Sequence, residues 1–378
     1  MADRWQILVA TDLTDESLAL LRGAPQVAVQ TATPTLAAVR EQIASAHALI
    51  SRDDVPVDAT LLDHAPLLRV IGRVGASVGN VDIEAVTRRG IIVMNTPGAN
   101  AIAAAEHTLA LMLALSRKLI VAHNSLREGW WLLDRKQQRG TQLHGKTLGL
   151  IGLGRVGSRV ARGALALGMT VLAADPYIGE DQATETRVTL VGLRELLRRS
   201  DFVSLHVPVT SETRGLVDAA FIEQMQPGAR LINTAHGSVI GEEALAAALK
   251  SGRIAGAAVD VFNEEPPYHS PLIGLEQIVH TPHIGDNTIE ATQDLSREIA
   301  QQVLDALNDH DYRNAVNMPF QTGVNFAALR PYLLLAERMG SLFDTLARHP
   351  VMRVAIECRG EDTATLIKPL TVALLRGC

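Results

Sequence analysis

The chain has 378 residues, of which 47% are hydrophobic and 3% aromatic, and a formal net charge of −6. Two or three domains with a sizeable core fit this length, and the acidic balance with few aromatic side chains argues against a nucleic-acid partner. Two cysteines, Cys358 and Cys378, are too few for a disulfide framework. The N-terminus enters a strand without a signal peptide, so the sequence predicts a cytoplasmic protein.

Short apolar runs alternate with helix patterns up to residue 95. The strands are predicted at Gln6 to Ala10, Gln26 to Gln30, Ala48 to Ser51, Leu67 to Gly72 and Ile91 to Met94. Helices are predicted at Asp15 to Leu21 and at Leu36 to Ser45. This alternation is typical of a parallel, doubly wound sheet.

The longest apolar segment runs from Ala101 to Ala122 and is predicted to form one helix. Four ionisable residues interrupt it, namely Glu106, His107, Arg117 and Lys118. The segment therefore predicts a buried helix rather than a membrane span.

A glycine-rich turn joins a predicted strand to a predicted helix near the middle of the chain. The strand covers Leu148 to Ile151, and three glycines follow it in G-x-G-x-x-G spacing at Gly152, Gly154 and Gly157. The unit continues with a helix at Ser158 to Leu167, a strand at Thr170 to Ala174 and then Asp175. These parts match the fingerprint of a dinucleotide-binding βαβ unit.

The residue types of this unit suit a dinucleotide. Gly152 permits the tight turn, Gly154 lets the backbone approach a pyrophosphate, and Gly157 lets the helix pack close to the sheet. The N-terminus of the helix offers N–H groups to the phosphates. Asp175 is suited to accept hydrogen bonds from both ribose hydroxyls and to repel a 2′-phosphate, so the sequence predicts NAD.

The same alternation continues to about residue 308, and the character of the sequence changes after Pro319. Strands are predicted at Phe202 to His206, Ala229 to Asn233, Ile254 to Val259 and Ile278 to His280, with helices at Glu242 to Ser251 and Thr288 to Asn308. After Pro319, helices are predicted at Pro331 to Ala347 and Ile367 to Leu375, with a strand at Met352 to Glu357. This tail is too short to form a convincing core of its own.

Seven sequence blocks carry a family resemblance. Besides the glycine loop, they are GRVGASVGNVDIEA from Gly72, IIVMNTPGANAIAAAEHT from Ile91, VSLHVPVTSETRGL from Val203, LINTAHGSVI from Leu231, AAVDVFNEEPP from Ala257 and TPHIG from Thr281. With these blocks in this order, the chain up to about residue 320 resembles the NAD-dependent D-2-hydroxyacid dehydrogenases, and within them the phosphoglycerate dehydrogenase branch.

The resemblance implies an α/β fold with two doubly wound Rossmann-like domains. Residues 1–98 and 287–318 would form a discontinuous, flavodoxin-like substrate domain, and residues 99–286 an NAD-binding domain, with the active site in the cleft between them. Residues 319–378 resemble the start of an additional C-terminal domain, which the resemblance implies is incomplete and lacks the serine-binding regulatory module of longer family members. The region from Ala101 to Ala122 would form a homodimer interface.

For the reaction, the resemblance implies hydride transfer between NAD and a D-2-hydroxy acid, with 3-phosphoglycerate as the expected substrate and no metal. His283 matches the family's acid/base histidine, and Glu265 matches the carboxylate that hydrogen-bonds this imidazole and raises its pKa. His236 stands where the family has a carboxylate-binding arginine. A neutral imidazole offers one donor where arginine offers a charged fork.

His236 leaves two alternatives open. One is a dehydrogenase of another 2-hydroxy acid. The other is a catalytically weak paralogue that binds NAD as a sensor or a partner subunit.

The resemblance also implies the binding residues by position. The cofactor contacts are Gly152, Gly154, Arg155, Val156, Gly157, Asp175, Val207, Pro208, Thr234, Ala235, Asp260, Gly285 and Asp286. The substrate contacts are Arg52, Arg73 and the backbone N–H groups of Val74 and Gly75. Trp130, Trp131, Arg135 and Lys136 either cover the substrate or form a solvated loop.

Overall fold

The computed structural model describes residues 4–130, 139–179, 186–318, 326–346 and 363–377, together with residues 181, 355–357 and 359. The chain divides into two compact units. Met1–Ala99 with Thr292–Cys378 forms the first, and Asn100–Ala291 forms the second. Each described unit contains one parallel sheet, of five and seven strands respectively, so the predicted α/β class with two parallel sheets is confirmed.

The first sheet has the strand order β2-β1-β3-β4-β5, with all neighbours parallel. Its strands are β1 (Trp5–Ala10), β2 (Val27–Thr31), β3 (Ala48–Ser51), β4 (Val70–Arg73) and β5 (Ile92–Asn95). Its helices are α1 (Asp15–Gly23), α2 (Leu36–Gln42, continued by a 3-10 turn at Ile43–Ser45), α3 (Ala59–Leu62) and α4 (Ile83–Arg88). This is the flavodoxin-like order of a doubly wound sheet.

Each of these four helices begins at a residue that favours an N-cap. The side chains of Thr14, Thr35, Asp58 and Asp82 each accept a hydrogen bond from a backbone N–H in the first turn. Such caps stabilise helices that are too short to form alone.

The second sheet has the order β12-β11-β10-β9-β6-β7-β8, again all parallel. Its strands are β6 (Thr147–Ile151), β7 (Thr170–Ala174), β8 (Thr189–Leu190), β9 (Phe202–Leu205), β10 (Arg230–Asn233), β11 (Gly256–Val259) and β12 (Ile278–His280). The helices are α5 (Ala101–Arg117), α6 (Leu119–Arg127), α7 (Gly157–Ala166), α8 (Leu193–Arg199), α9 (Ala219–Gln224) and α10 (Glu242–Lys250). Read from β8, the order is that of a dinucleotide-binding sheet.

One long helix, α11 (Ile289–Leu307), fills the core on one face of the first sheet. Its buried Leu295, Ile299 and Val303 pack with the strand residues Ile7 and Ile50. A Cβ on Gly72 in β4 would lie 2.7 Å from a methyl group of Val303. A larger residue at this point of β4 would therefore push α11 away from the sheet.

The predicted single helix from Ala101 to Ala122 is wrong. Helix α5 ends at Arg117 and α6 starts at Leu119, because Lys118 adopts a left-handed conformation with a φ of +52°. The prediction of burial holds for α5, but no residue of α6 is buried. Within the described part of the chain, no single helix is apolar and long enough to cross a membrane; α5 and α6 meet that test only as a pair, bent by 65°.

Two further helices, α12 (Phe326–Leu346) and α13 (Thr363–Gly377), pack against each other and are grouped with the first unit. They confirm the two helices predicted after Pro319. The predicted strand from Met352 to Glu357 lies mostly outside the described residues, and its described part, 355–357, is not a strand. The predicted domain boundaries, and the assignment of 319–378 to an additional domain, stay predictions.

Candidate active site

In the turn between β6 and α7, the space around each glycine shows why a side chain is excluded or a ligand admitted. Gly152 has a φ of +93°, and a Cβ on it would collide with the carbonyl oxygen of His206. A Cβ on Gly157 would collide with the carbonyl oxygen of Gly152. Among the described residues, no heavy atom lies within 4 Å of the Cβ position of Gly154. The turn is therefore open to a ligand at Gly154 and closely packed at the other two glycines.

Asp175 follows β7 directly and connects that strand to the glycine turn. Its Oδ2 accepts a hydrogen bond of 2.8 Å from the N–H of Leu153, and its Oδ1 accepts one of 2.9 Å from the N–H of Tyr177. A carboxylate oxygen accepts more than one hydrogen bond. The side chain is thus held in place while it retains lone pairs for a ribose hydroxyl.

His283 and Glu265 form a hydrogen-bonded pair. His283 follows β12 in a left-handed conformation with a φ of +52°, and its N–H donates to the carbonyl oxygen of Asp260 at 2.8 Å. Its Nδ1 lies 2.6 Å from Oε2 of Glu265, whose Oε1 accepts the N–H of Phe262 at 3.0 Å. Because Nδ1 is engaged, Nε2 is the ring nitrogen left for proton exchange.

The surroundings of His283 favour its protonated form. Burial lowers the pKa of this imidazole, but the hydrogen bond and charge of Glu265, with the charges of Asp260 and Asp286, outweigh burial and raise the pKa above 6.5. A histidine with such a pKa is able to donate a proton to a carbonyl oxygen near neutral pH.

Asp260, directly after β11, fixes the loop that carries His283. Its side chain is 1% exposed and accepts hydrogen bonds from the hydroxyl of Thr281 at 2.6 Å and from the N–H groups of Ile284 and Gly285 at 2.9 and 2.8 Å. Although burial raises the pKa of Asp260, these hydrogen bonds and one with His107 lower it to about 2. The carboxylate is therefore ionised and committed to this loop, and its predicted cofactor contact stays a prediction.

His107 on α5 is a residue of this network that the sequence reasoning did not include. Its Nε2 lies 3.0 Å from the hydroxyl of Thr281 and 3.3 Å from Oδ1 of Asp260. The available signal was a histidine in a largely apolar helix, within the E-H-T of a block that resembles the family. The spacing alone did not indicate its partner.

His236 lies in the turn after β10. The side chain of the fully buried Asn233 donates to the carbonyl oxygen of His236 at 2.9 Å and accepts the N–H of Ala235 at 3.0 Å. A Cβ on the next residue, Gly237, would collide with the carbonyl oxygen of Phe262. The turn is therefore packed closely against the loop after β11.

A cavity of about 260 Å³ brings the three predicted catalytic residues together. His236, Glu265 and His283 line it, with Gly237, Ser238, Val261, Phe262 and Asn263. All three side chains follow the carboxyl ends of neighbouring parallel strands, where ligands bind in open α/β sheets. The volume is close to the lower end of the range for small-molecule sites.

The other predicted cofactor residues also lie in turns of the second unit. Arg155 and Val156 belong to the glycine turn, and Val207 and Pro208 follow β9. The hydroxyls of Thr234 and Thr108 lie 2.7 Å apart. Oδ2 of Asp286 accepts a hydrogen bond of 3.1 Å from Asn100. Their contacts with a cofactor stay predictions.

The predicted role of Arg73 in contacting substrate needs correction. Its side chain is 0% exposed, and its guanidinium donates to Ser51 Oγ at 2.8 Å, Asp53 Oδ1 at 2.9 Å and Asn80 Oδ1 at 2.6 Å. Burial lowers the pKa of this guanidinium, and the charge of Asp53 opposes that effect. The side chain has no surface left for a substrate and instead holds the loops after β3 and β4 together.

The prediction for the backbone donors of Val74 and Gly75 is also corrected. The N–H of Val74 donates to the carbonyl oxygen of Ser51 at 3.0 Å, and the N–H of Gly75 donates to the hydroxyl of Thr96 at 2.8 Å. Both donors are thus occupied within the first unit. Arg52 donates through Nε to the carbonyl oxygen of Val74 at 3.4 Å, and its predicted substrate contact stays a prediction.

The loop predicted to cover the substrate is described only at Trp130, whose side chain is exposed. Trp131, Arg135 and Lys136 lie outside the described residues.

Comparisons with known proteins show which sequences this chain resembles. Residues 109–285 match the family described as D-isomer specific 2-hydroxyacid dehydrogenase, NAD binding domain. A D-3-phosphoglycerate dehydrogenase of Archaeoglobus fulgidus is 39% identical over 98% of this chain and 70% of its own length. The protein of the same name from Methanocaldococcus jannaschii is 40% identical over 98% of this chain and 71% of its own.

A solved structure also has a similar fold. The D-lactate dehydrogenase of Aquifex aeolicus, in complex with NAD and lactic acid, superposes with a TM-score of 0.74 and 27% identity. The match covers 82% of this chain and 99% of that one.

Proposed function

The chain belongs to the D-isomer specific 2-hydroxyacid dehydrogenase family, and we propose that it transfers a hydride between NAD and 3-phosphoglycerate to form 3-phosphohydroxypyruvate. The hydrogen-bonded pair of His283 and Glu265 beside the cavity of about 260 Å³ carries the chemical part of this proposal. The choice of substrate rests on the printed names of the relatives at 39% and 40% identity.

The glycine turn and Asp175 fit NAD. The open side at Gly154 admits a pyrophosphate, and the carboxylate of Asp175 is held by Leu153 with lone pairs left for a ribose. NAD supplies the hydride acceptor for oxidation of the alcohol. The chain itself must supply the proton acceptor and the group that holds the substrate's carboxylate.

His283 and His236 divide these two tasks. In the oxidation direction, neutral His283 removes the proton of the 2-hydroxyl through Nε2, and Glu265 stabilises the imidazolium that forms. In the reduction direction, imidazolium returns this proton to the carbonyl oxygen. His236 lines the same cavity, which supports a role in holding the carboxylate of the substrate, and a protonated imidazole would hold it best.

The proposal is tested by following NADH formation with 3-phosphoglycerate, D-glycerate and D-lactate, and NADH consumption with 3-phosphohydroxypyruvate. The expected result is a kcat/KM at least about tenfold higher for the phosphorylated acid, the effect of one good charge-assisted contact. A preference for an unphosphorylated acid would contradict the substrate assignment. NADH binding by calorimetry without turnover of any acid would identify a non-catalytic protein.

A second candidate substrate is an unphosphorylated 2-hydroxy acid. Arg73, which was expected to contact the substrate, is buried and paired with Asp53 at 2.9 Å. Asp53 and Asp54 follow Arg52 directly, and their negative charges disfavour an anionic phosphate at that position.

Asp175 should determine the choice between NAD and NADP. In Asp175→Asn, the neutral amide keeps an acceptor for the N–H of Leu153, while the charge that repels a 2′-phosphate is lost. The preference for NADH over NADPH should therefore fall by about tenfold, the value of roughly 1.4 kcal/mol of charge repulsion. Calorimetric Kd values of both cofactors measure this ratio, and an unchanged ratio would show that Asp175 does not set it.

We further propose that the chain forms a homodimer through α5 and α6. No residue of α6 is buried, and Leu119, Ile120 and Leu126 are 52%, 50% and 55% exposed. Apolar side chains grouped in this way mark an interaction surface. A cytoplasmic location stays a prediction from the sequence.

The double variant Leu119→Asp/Ile120→Asp should sediment as a monomer, because the charges would have to be desolvated at the interface. Leu36→Asp, at a similarly exposed leucine of the other unit, is the control and should remain dimeric. A wild-type protein that sediments as a monomer at micromolar concentration would refute the dimer.

A further inference from the structure

Glu242, the first residue of α10, is a buried carboxylate with two defined hydrogen bonds. It is 9% exposed. Its Oε1 accepts the N–H of Asn263 at 2.8 Å, and its Oε2 accepts the hydroxyl of Ser270 at 2.5 Å. Within the described part of the chain, no Lys, Arg or His forms a salt bridge with it.

These two hydrogen bonds lie at the two ends of the loop that carries Glu265. Asn263 is attached a second time, because its side-chain amide donates to the carbonyl oxygen of Ile240 at 3.1 Å. Ser270 accepts the N–H of Leu272 at 3.3 Å. The residues between 263 and 270 are thus held to the start of α10 from both sides, with Glu265 inside the loop.

A buried carboxylate without a cationic partner is costly unless its oxygens are hydrogen-bonded. The N-terminal end of α10, a helix of 9 residues, offsets part of this cost through its partial positive charge. A neutral residue would pack there without any such cost. The hydrogen bonds of Glu242 therefore indicate that this carboxylate is needed to hold the loop, and not to stabilise the helix.

We propose that Glu242 is a positioning residue that fixes the loop 263–270 so that the carboxylate of Glu265 meets the imidazole of His283. The positioning role follows from the hydrogen bonds of the loop 263–270 alone, whereas the expected effect on turnover rests on the proposed function. Glu242 is not among the residues that line the cavity, so it acts through Asn263, Ser270 and Glu265.

The test is an NMR titration of the His283 imidazole in the unliganded protein, with its signal identified by its loss in His283→Asn. In Glu242→Ala the loop loses both hydrogen bonds that Glu242 accepts, so the pKa of His283 should fall toward 6.5 as its hydrogen bond to Glu265 weakens. Keto-acid reduction should fall about tenfold, since the proton donor is less well placed, while the Kd of NADH stays unchanged.

Three further variants make the result specific. Glu242→Gln keeps an acceptor for Asn263, and the hydroxyl of Ser270 is able to turn and accept from the amide, so this variant should retain the pKa. Ser270→Ala removes one attachment and should give an intermediate shift, which keeps the test valid if Glu242→Ala fails to fold. Glu243→Ala, at the exposed neighbour on α10, is the matched control.

The charged groups that act on His283 are Glu265, Asp260 and Asp286, and His236 shares its cavity; none of them is changed in these variants. A lowered melting temperature in Glu242→Ala and Ser270→Ala with an unchanged pKa of His283 would overturn the proposal and leave a purely structural role. A shifted pKa in a protein that turns over no 2-hydroxy acid would support the positioning role and refute the proposed function.

Discussion

His283→Asn should lower kcat for 2-hydroxy-acid oxidation and for keto-acid reduction by about a thousandfold, within the range expected when a general acid–base group is removed. Asparagine preserves a hydrogen bond to Glu265 through its amide, but it does not exchange a proton near neutral pH. The loop itself is held by Asp260 through Thr281, Ile284 and Gly285. The variant should therefore fold and bind NADH with an unchanged Kd.

His280→Asn is the matched control, since His280 lies on β12 three residues earlier and is exposed. It should retain wild-type turnover. His283→Asn with turnover within tenfold of the wild type would place the acid–base group elsewhere.

The hydrogen bond between Glu265 and His283 should make the reaction rates depend on pH in a defined direction. The pKa of His283 is raised by Glu265, so imidazolium persists to a higher pH than for an unperturbed histidine. In Glu265→Gln that support is lost, and the alkaline limb of keto-acid reduction should move to lower pH. The acid limb of hydroxy-acid oxidation, which requires the neutral imidazole, should move in the same direction.

His236→Arg should raise kcat/KM for keto-acid reduction by about a hundredfold, because a bidentate, permanently charged contact with the substrate carboxylate is worth on the order of 3 kcal/mol more than one neutral donor. A histidine is charged only below its pKa, whereas arginine stays charged throughout the working range. One ionisation should therefore disappear from the pH profile, which is measured alongside the rates.

The matched control for this change is His236→Asn, which offers a neutral donor. Its kcat/KM for keto-acid reduction should be lower than that of the wild type at acidic pH. Loss of activity in His236→Arg, where the wild type is active, would show that the cavity is adapted to a histidine and to a different acid. The phosphoglycerate assignment would then fail.

The glycine turn was predictable because its chemistry is local. The spacing of Gly152, Gly154 and Gly157 and the acid after the second strand are fixed by one βαβ unit. The strands were predictable for a related reason, since strands covered on both faces read as short apolar runs. The parallel direction of neighbouring strands follows from that alternation of strands and helices.

The predictions from the sequence were wrong where contacts between residues distant along the chain determine the structure. An arginine is normally exposed, so nothing near Arg73 indicated that Ser51, Asp53 and Asn80 would enclose it. The break of the apolar helix falls at Lys118, with neither Gly nor Pro to mark it. Polar contacts such as these depend on tertiary packing and leave no periodic signal.

The roles of Asp260 and Glu242 in holding the loops of the site were missed for the same reason, although Asp260 was predicted as a cofactor contact. Asp260 and Glu242 hold the loops of His283 and Glu265 by accepting backbone N–H groups, and any sequence provides such groups. The resemblance to a family identified the reacting residues, but it did not identify what holds them.

The first unit is interrupted by the second along the chain, and this has a consequence for biosynthesis. The five strands of its sheet lie before residue 100, whereas the apolar face of α11 that covers them begins near Leu295. At about 5–20 residues per second, translation of the roughly 190 intervening residues takes on the order of 10–40 s. During that time Ile7 and Ile50 on the nascent sheet lack Ile299 and Val303, so the emerging chain carries an uncovered apolar surface of the kind that chaperones bind.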